Sequence, residues 1–236
     1  MTKRFSAMAM VVGGAERAMA CLERKDNTAE IRLALKNLRD AIDQMSDGVV
    51  RNCRGLFTKK TSVMTYSNSG LVRKIVSRYA KKIRRLYVSE ARPAGEGREV
   101  ADYCADLGIP VTYCTDALLP SFLTETDLLL VGADSIGQEG FINKIGTAAL
   151  LRLACDTGCT RAVVFESLKI RPDESPAELI REYPRTELWM GRARAKVTVC
   201  NPYFETVALN LADRFISDRG VVTSRELINA MKKTGR

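Results

Sequence analysis

The fold is decided by residues Asp127–Gly158, which read D-L-L-L-V-G-A-D-S-I-G-Q-E-G-F-I-N-K-I-G-T-A-A-L-L-R-L-A-C-D-T-G. The unbroken apolar run Leu128–Val131 is typical of a strand that is buried on both faces, as in a parallel sheet. Gly132–Ser135 ends this run, and the glycines that follow favour an open loop. The stretch therefore predicts a central strand whose carboxyl end leads into a loop.

A helix is expected after this loop. Ile145–Cys155 is nearly all apolar, and Asn143 can cap it because an asparagine side-chain oxygen accepts an orphan backbone N–H. Gly158 fits the position just beyond the helix end. Asp134 and Lys144 would then both lie near the carboxyl end of the strand, where open α/β sheets bind ligands.

Size and composition indicate a folded globular chain. The protein has 236 residues, enough for one large domain or a domain with a small appendage, and 46% of them are hydrophobic. No apolar run approaches the length of a membrane span. The first residues lack a long apolar signal segment behind their charges. We expect a cytoplasmic protein without a membrane partner.

The cysteines and histidines argue against metal chemistry. There are 7 cysteines, no C-x-x-C pair and no histidine. A zinc site is therefore not expected, and Ser-His and Cys-His nucleophile pairs are excluded. An odd, scattered set of cysteines fits reduced thiols. We expect no metal and no cofactor.

The net charge of +9 raises the question of nucleic acid. The densest basic cluster consists of Arg73, Lys74, Arg78, Lys81, Lys82, Arg84 and Arg85. Apolar residues interleave with this cluster at helical spacing, so a solvated helix face is favoured over an RNA-binding patch. An RNA partner stays open as the alternative.

The chain is predicted to have two parts, a short helical domain at residues 1–58 and an α/β domain at 59–236. In the first part, helices are expected at Ala7–Leu22 and from Asn27 or Thr28 onward. Ile31, Leu35, Leu38 and Ile42 form the apolar stripe of that second helix. A break is expected at Asp47-Gly48, followed by a short helix, Val49–Phe57.

From Thr61 the pattern alternates between strands and helices. Strands are expected at Ser62–Tyr66, Arg85–Glu90, Val111–Thr115, Leu128–Val131, Ala162–Ser167 and Lys196–Cys200. Helices are expected in the basic segment after Gly70 and at Glu99–Leu107, Ala117–Leu123, Ile145–Cys155 and Ser224–Lys233. This rhythm predicts an α/β fold with a Rossmann-like, doubly wound, mainly parallel sheet.

The run G-A-D-S-I-x-x-x-G-x-x-N-K-I-G-T, from Gly132 to Thr147, also resembles the signature of a known family. One branch comprises the α, β and δ regulatory subunits of translation initiation factor 2B. The other comprises the isomerases of methylthioribose 1-phosphate and ribose 1,5-bisphosphate. Further segments match the same family in order, namely Thr65–Gly70, Glu90–Pro93, Gly108–Thr112 with Asp116, Asn201–Glu205 and Gly220–Val222.

Departures from the family pattern bear on function. The resemblance implies a catalytic cysteine where this chain has Ser67, and an acid/base aspartate where it has Phe141. It also implies a phosphate-binding arginine where Gly13-Gly14-Ala15 stands, and a glutamine where the chain has Glu96. An aldose–ketose isomerase needs a poised acid and base, so the substitutions predict a chain without that activity.

After these departures, Arg92, Asp134, Asn143 and Lys144 remain of the family's site. The predicted ligand site consists of these four residues and of the loop residues Ser67, Asn68, Ser69 and Gly70. Each has a structural alternative: Asn143 as a helix cap, Asp134 in loop hydrogen bonding, and Arg92 in a bridge to Glu90 or Glu96. Ser67 or Ser69 capping the basic helix is favoured over catalysis. Lys144 at a helix start opposes the macrodipole, which favours an anionic partner there.

The expected function is a non-catalytic regulatory or scaffolding one, like that of the initiation factor 2B subunits, with a phosphorylated sugar or nucleotide as the ligand. The alternative is a sugar-phosphate isomerase in which Ser67, Asp134 and Lys144 carry the chemistry. We also expect a homodimer formed through the α/β domain, because Asn201–Phe204 and the C-terminal segment offer an apolar patch. Related subunits are possible partners.

Overall fold

The computed structural model describes residues 28–172 and 180–234. Its strands are β1 (Thr61–Thr65), β2 (Ile83–Ser89), β3 (Val111–Cys114), β4 (Leu128–Gly132), β5 (Ser135–Ile136), β6 (Phe141–Lys144), β7 (Thr160–Val164), β8 (Phe204–Val207), β9 (Arg214–Ser217) and β10 (Gly220–Val222). Its α-helices are α1 (Thr28–Asn52), α2 (Gly70–Tyr79), α3 (Gly97–Asp106), α4 (Thr147–Leu153) and α5 (Ser224–Thr234). The predicted helix Ala7–Leu22 lies outside the described residues.

Seven strands form the main sheet, in the order β3-β2-β1-β4-β7-β9-β10. Six of them run parallel, and only the edge strand β10 pairs antiparallel, with β9. The chain builds outward from β1 through β2 to β3, then returns to β4 on the other side of β1. The prediction of a doubly wound, mainly parallel α/β sheet is confirmed.

The central strand β4 explains why the sheet is covered on both faces. Its residues Leu128–Val131 are all at most 2% exposed. Leu128 and Leu130 pack with α1, α2 and α3, whereas Leu129 and Val131 pack with α4 and α5 on the opposite face. Because successive side chains of a strand point to opposite faces, an all-apolar β4 serves two hydrophobic layers.

Helix α1 corrects the prediction of a break. It continues through Asp47-Gly48 without a break. Gly48 is buried at a close contact with β9–β10, since an added Cβ would lie 3.0 Å from the Cβ of Asp218. The glycine therefore serves packing and not chain reversal. Of the predicted apolar stripe, Leu35 is 45% exposed and Leu38 and Ile42 are half-buried.

The end of α1 packs into the main sheet's own core. Val49 and Cys53, which follow the predicted break, have no exposed surface and lie in the same hydrophobic cluster as α2. The domain boundary near residue 58 stays a prediction. Among the described helices, none is long and apolar enough to cross a bilayer.

A second, three-stranded antiparallel sheet, in the order β5-β6-β8, was not predicted. It takes Asn143 and Lys144 into β6, so neither starts a helix. Helix α4 begins later, at Thr147, after Gly146 with its φ of 100°. An added Cβ at Gly146 would lie 2.8 Å from the Tyr66 hydroxyl, so the turn requires glycine.

The predicted strand Lys196–Cys200 is also wrong. Its alternating pattern fits a strand, but no strand within the described residues pairs with it, and Val197 is 41% exposed. The antiparallel strand in this region is β8, which begins four residues after Cys200 and pairs with β6. The position of this strand therefore depends on its pairing with β6, which the local alternating pattern does not reveal.

Candidate functional site

A cavity of about 500 Å³ lies at the carboxyl ends of β1 and β4. These neighbouring strands are where the winding of the sheet reverses, and open α/β sheets bind ligands at such switch points. Loops after β1, β4 and β7 line the cavity together with the small sheet. The lining includes seven of the eight predicted site residues: Ser67, Asn68, Ser69, Gly70, Asp134, Asn143 and Lys144. Their role in binding stays a prediction.

The loop between β1 and α2 forms one wall. Ser69 is the cap of α2, because its Oγ accepts a 3.4 Å hydrogen bond from the Val72 N–H. Ser67 has a φ of 66°, a left-handed conformation that serine seldom adopts. Gly132 allows β4 to approach this loop, since an added Cβ would lie 2.8 Å from Ser69 Oγ. The first turn of α2 is therefore held against the cavity.

Lys144 sits in the cavity wall with its charge already paired. Its side chain is 3% exposed, and its Nζ lies 2.7 Å from Glu96 Oε1. Ser67 Oγ donates a 2.7 Å hydrogen bond to the same Glu96 oxygen. The amine also lies 4.8 Å from the centre of the Tyr203 ring. Glu96 thus joins the two polar residues that the sequence singled out, Ser67 and Lys144.

The second oxygen of Glu96 is buried and has no hydrogen-bond partner among the described residues. A buried carboxylate oxygen without a donor carries a desolvation cost. The loop that carries Glu96 is itself fixed by Asp116, whose carboxylate accepts hydrogen bonds of 2.8 and 2.7 Å from the Ala91 and Arg92 N–H groups. The backbone hydrogen bonds to Asp116 therefore help to fix the position of Glu96.

Arg92 does not line the cavity. Its guanidinium is exposed and donates a 3.3 Å hydrogen bond to the backbone oxygen of Glu187. This is a contact to a carbonyl, whereas the alternative from the sequence was a bridge to Glu90 or Glu96. Asp116 holds the Arg92 backbone, and this directs the side chain outward.

A second ion pair lies on the opposite wall, after β7. Lys169 Nζ and Glu166 Oε2 are 3.2 Å apart, and both side chains are at most 10% exposed. Ser46 of α1 donates a 2.8 Å hydrogen bond to the other Glu166 oxygen. Neither Glu166 nor Lys169 was predicted, although both follow a sheet strand at its carboxyl end. The criterion that predicts Asp134, a position near the carboxyl end of a sheet strand, applies to both of these residues as well.

Asp134 lies half-buried between these groups. Burial raises the pKa of its carboxyl to about 6; Lys169 lowers that pKa and Glu166 raises it. The side chain is thus half-protonated at about pH 6, roughly two units above the ordinary value for an aspartate. A cavity carboxyl with such a pKa is suited to proton exchange.

Asn143 and Phe141 show what β6 contributes. Asn143 Nδ2 donates a 3.1 Å hydrogen bond to Thr147 Oγ1, so the buried amide braces the start of α4 and does not cap it directly. Phe141 has no exposed surface and meets the Phe215 ring edge to face at 6.0 Å. The position where the resemblance implies an aspartate is thus part of the core.

Two tyrosines that were not predicted as site residues line the cavity, although Tyr203 lies in the segment Asn201–Glu205 that resembles the family. Tyr183 and Tyr203 stack with ring centres 3.8 Å apart. The Tyr203 hydroxyl donates a 2.6 Å hydrogen bond to Glu187, and burial raises its pKa to about 12. Within residues 28–172 and 180–234, no three His, Cys, Asp or Glu side chains are grouped so as to hold a metal ion.

Known proteins resemble this chain over most of its length. The profile of the initiation factor 2 subunit family matches residues 5–224. A translation initiation factor 2B of Pyrococcus horikoshii superposes with a TM-score of 0.81 and 21% identity, covering 96% of this chain and 80% of that one. A subunit structure from a tetrameric initiation factor 2B β–δ complex of C. thermophilum superposes with a TM-score of 0.67 and 21% identity, covering 89% of this chain and 69% of that one.

Curated relatives carry enzyme names. A ribose 1,5-bisphosphate isomerase of Haloferax volcanii is 28% identical over 158 residues, which cover 62% of this chain and 47% of that protein. A methylthioribose-1-phosphate isomerase of Pseudomonas putida is 33% identical over 149 residues, which cover 59% of this chain and 42% of that protein. The aligned parts thus span about half the length of these relatives.

Proposed function

The chain belongs to the initiation factor 2 subunit family, and we propose that it is a non-catalytic member that regulates or scaffolds and binds a phosphorylated sugar or nucleotide in its cavity. The relatives include isomerases and structures of initiation factor 2B, so family membership alone leaves both classes open. The cavity's own side chains favour the non-catalytic class.

One observation carries the proposal: Glu96 occupies the polar groups on which isomerase chemistry would depend. Its carboxylate accepts a 2.7 Å hydrogen bond from the Ser67 hydroxyl and forms an ion pair with the Lys144 amine, also at 2.7 Å. A serine that donates to a carboxylate could in principle be activated as a base, but the same carboxylate is neutralised by Lys144. No thiol stands at Ser67, and a hydroxyl is a much weaker acid.

Phe141 supports the same conclusion from the other side of the reaction. The resemblance implies an acid/base carboxylate here, and a phenyl ring transfers no proton. Because Phe141 is fully buried against Phe215, the position has been absorbed into the hydrophobic core. A poised acid or base contributes about 10²–10⁴-fold to a rate, and Asp134 alone replaces only one of the two groups.

A phosphorylated ligand fits the cavity with one rearrangement. The first turn of α2 presents backbone N–H groups at the cavity wall, which favours an anion there. Lys169 and Lys144 supply positive charge, but both are already paired. An anion at Lys144 therefore has to displace Glu96, whose second oxygen makes no hydrogen bond. The sequence predicted an anionic partner for Lys144 at a helix start, whereas the geometry favours the backbone N–H groups of α2.

We further propose that the chain acts as a cytoplasmic homodimer through its α/β domain, or as one of several related subunits. The exposed Leu188, Trp189 and Met190 directly follow Glu187, which accepts a hydrogen bond from the Tyr203 hydroxyl, and would add to the apolar patch predicted around Asn201–Phe204. Burying such a patch between copies would remove it from water. Sedimentation as a monomer at micromolar concentration would contradict the homodimer.

The test combines binding with turnover. The purified chain is screened by thermal shift against sugar phosphates and nucleotides, and each hit is incubated with the protein while aldose and ketose forms are followed. We expect stabilisation by at least one phosphorylated compound, and no conversion of ribose 1,5-bisphosphate or methylthioribose 1-phosphate. Turnover at an ordinary enzymatic rate would overturn the proposal.

The second candidate is an isomerase, and Asp134 is the observation that favours it. A carboxyl with a pKa of about 6 in a cavity is suited to act as a general base near neutral pH. If this candidate holds, Asp134→Asn abolishes turnover while the variant still binds the ligand. The Asp102→Asn variant, on the exposed face of α3, is the matched control and should retain full turnover.

A further inference from the structure

A groove of about 810 Å³ lies at the carboxyl end of α2, at the opposite end of that helix from the cavity. Five of its lining residues are cationic: Arg51, Arg54, Arg78, Lys81 and Lys82. We call this surface the basic groove. The rest of its lining is uncharged and consists of Ser77, Tyr79, Ala80 and Leu107.

The basic groove differs from the cluster read in the sequence. Four members of that cluster have partners elsewhere: Lys74 pairs with Asp47 at 2.8 Å, Arg84 with Asp127 at 3.4 Å, Arg85 donates to Thr112, and Arg73 lies over the Tyr103 ring. The other three, Arg78, Lys81 and Lys82, face the groove. Tertiary structure adds Arg51 and Arg54, which lie more than twenty residues earlier in the chain.

The five cations are unpaired. Within the described part of the chain, none of them forms an ion pair or a side-chain hydrogen bond, and all five are exposed. The carboxyl ends of α1 and α2 attract cations, but each supplies only about −0.5 of an elementary charge. Two helix ends thus offset about one of five positive charges, so helix capping does not explain the groove.

We propose that the basic groove binds the backbone of single-stranded RNA. Charge complementarity to phosphates is the first reason, since several cations along one groove track a polyanion. The half-exposed Tyr79 and Leu107 give the groove an apolar floor, which suits unpaired bases and not a closed duplex. Ser77 places a neutral hydroxyl among the cations, where it can pair with a ribose 2′-hydroxyl.

The test measures binding of a fluorescent polyuridine of about 20 nucleotides, several times the span of a single-strand groove, by anisotropy over a range of salt concentrations. The groove variant is Arg54→Gln/Lys81→Gln/Lys82→Gln. Its matched control, Arg225→Gln/Lys232→Gln/Lys233→Gln, removes the same charge from exposed positions of α5 on the other face of the sheet. All six positions are exposed, so both variants should fold.

We expect the groove variant to weaken binding about tenfold or more, and the control to change it less than about twofold. The slope of log affinity against log salt should fall by about 2 in the groove variant, because each lost phosphate contact removes about 0.7. Equal weakening in both variants overturns the proposal, as does absence of binding by the wild type at low salt. Equal affinity for polydeoxyuridine, or preference for phosphatidylserine vesicles, overturns the assignment to RNA.

Discussion

The cavity and the basic groove use their positive charges in opposite ways, although they lie at the two ends of α2. In the cavity, Lys144 and Lys169 are nearly buried, and each is paired with a glutamate at 2.7 and 3.2 Å. In the basic groove, five exposed cations have no carboxylate within ion-pair distance among the described residues. A buried charge without a partner is costly, whereas an exposed one keeps its hydration.

This difference shows which charges the fold itself requires. Removing Lys144 would leave Glu96 partly buried without its counter-ion, so the cavity pair is coupled to stability. Removing a groove cation leaves nothing unpaired. The groove charges are thus free to serve an external partner, and a cavity ligand has to compete with internal partners. Three predictions follow from this contrast, and the largest effect comes first.

Replacing Lys144 should destabilise the fold strongly. In Lys144→Met the side-chain volume is nearly kept, but Glu96 loses its ion pair while its second oxygen already has no donor. Breaking a buried pair on one side costs about 3–5 kcal/mol, and the 22% exposure of Glu96 puts the expected loss near the lower limit. Urea denaturation measures the change.

The matched control is Lys82→Met in the basic groove. It removes the same charge from an exposed position and should alter the free energy of unfolding by less than about 0.5 kcal/mol. The double variant Glu96→Gln/Lys144→Met should recover much of the loss, since the orphaned charge is gone. Similar values for Lys144→Met and Lys82→Met would refute the contrast between the two regions.

Asp134 should make stability depend on pH. Burial raises its pKa from 3.8 to about 6, so folding favours the protonated form. Its contribution is most favourable below the unfolded pKa and is lost as the pH rises through the folded pKa. A shift of about two units corresponds to a penalty of about 3 kcal/mol above pH 7, and to about half of that near pH 5.

The variant Asp134→Asn removes this penalty. We expect it to be more stable than the wild type by about 3 kcal/mol near pH 8, with the gain shrinking toward pH 4. Denaturation curves at several pH values measure the gain. The groove variant should differ from the wild type by an amount that does not follow this trend, because it keeps Asp134. A gain that does not vary with pH would remove Asp134 as the titrating group.

The contrast between the two regions also explains which features could be predicted from the sequence. Leu128–Val131 could be assigned because an all-apolar strand with two buried faces has few alternatives, and Asp134 followed from its place after that strand. Lys144 was identified as a site residue but assigned to a helix, since the short antiparallel sheet depends on pairing with β8, sixty residues later. The ion pair of Lys144 with Glu96 could not be predicted either, because these two residues are also far apart in the sequence.

In the sequence, Glu96 is notable as a departure from the glutamine that the resemblance implies, and nothing there indicates that it holds Ser67 and Lys144. That link joins two loops and the strand β6, and it has no local sequence pattern. The basic groove has the same origin, because Arg51 and Arg54 reach it only through the packing of α1 on α2. Local pattern therefore predicted the sheet and the edge that carries the cavity, but not which charges are paired.

The smallest expected effect tests whether Glu96 limits anion binding. In Glu96→Gln the side chain keeps its shape and can still accept from Ser67 and Lys144, but the negative charge is gone, and glutamine is the residue that the family resemblance implies here. An anion beside Lys144 no longer meets a like charge, so affinity for ribose 5-phosphate should rise about tenfold, which corresponds to about 1.4 kcal/mol. Calorimetric titration at constant salt measures the change. Asp102→Asn removes the same charge from the exposed face of α3 and should leave the affinity within about twofold, which separates a local effect from a change in net charge. Equal affinities in the wild type and Glu96→Gln would mean that the anion binds away from Lys144, at the Lys169 wall or the first turn of α2.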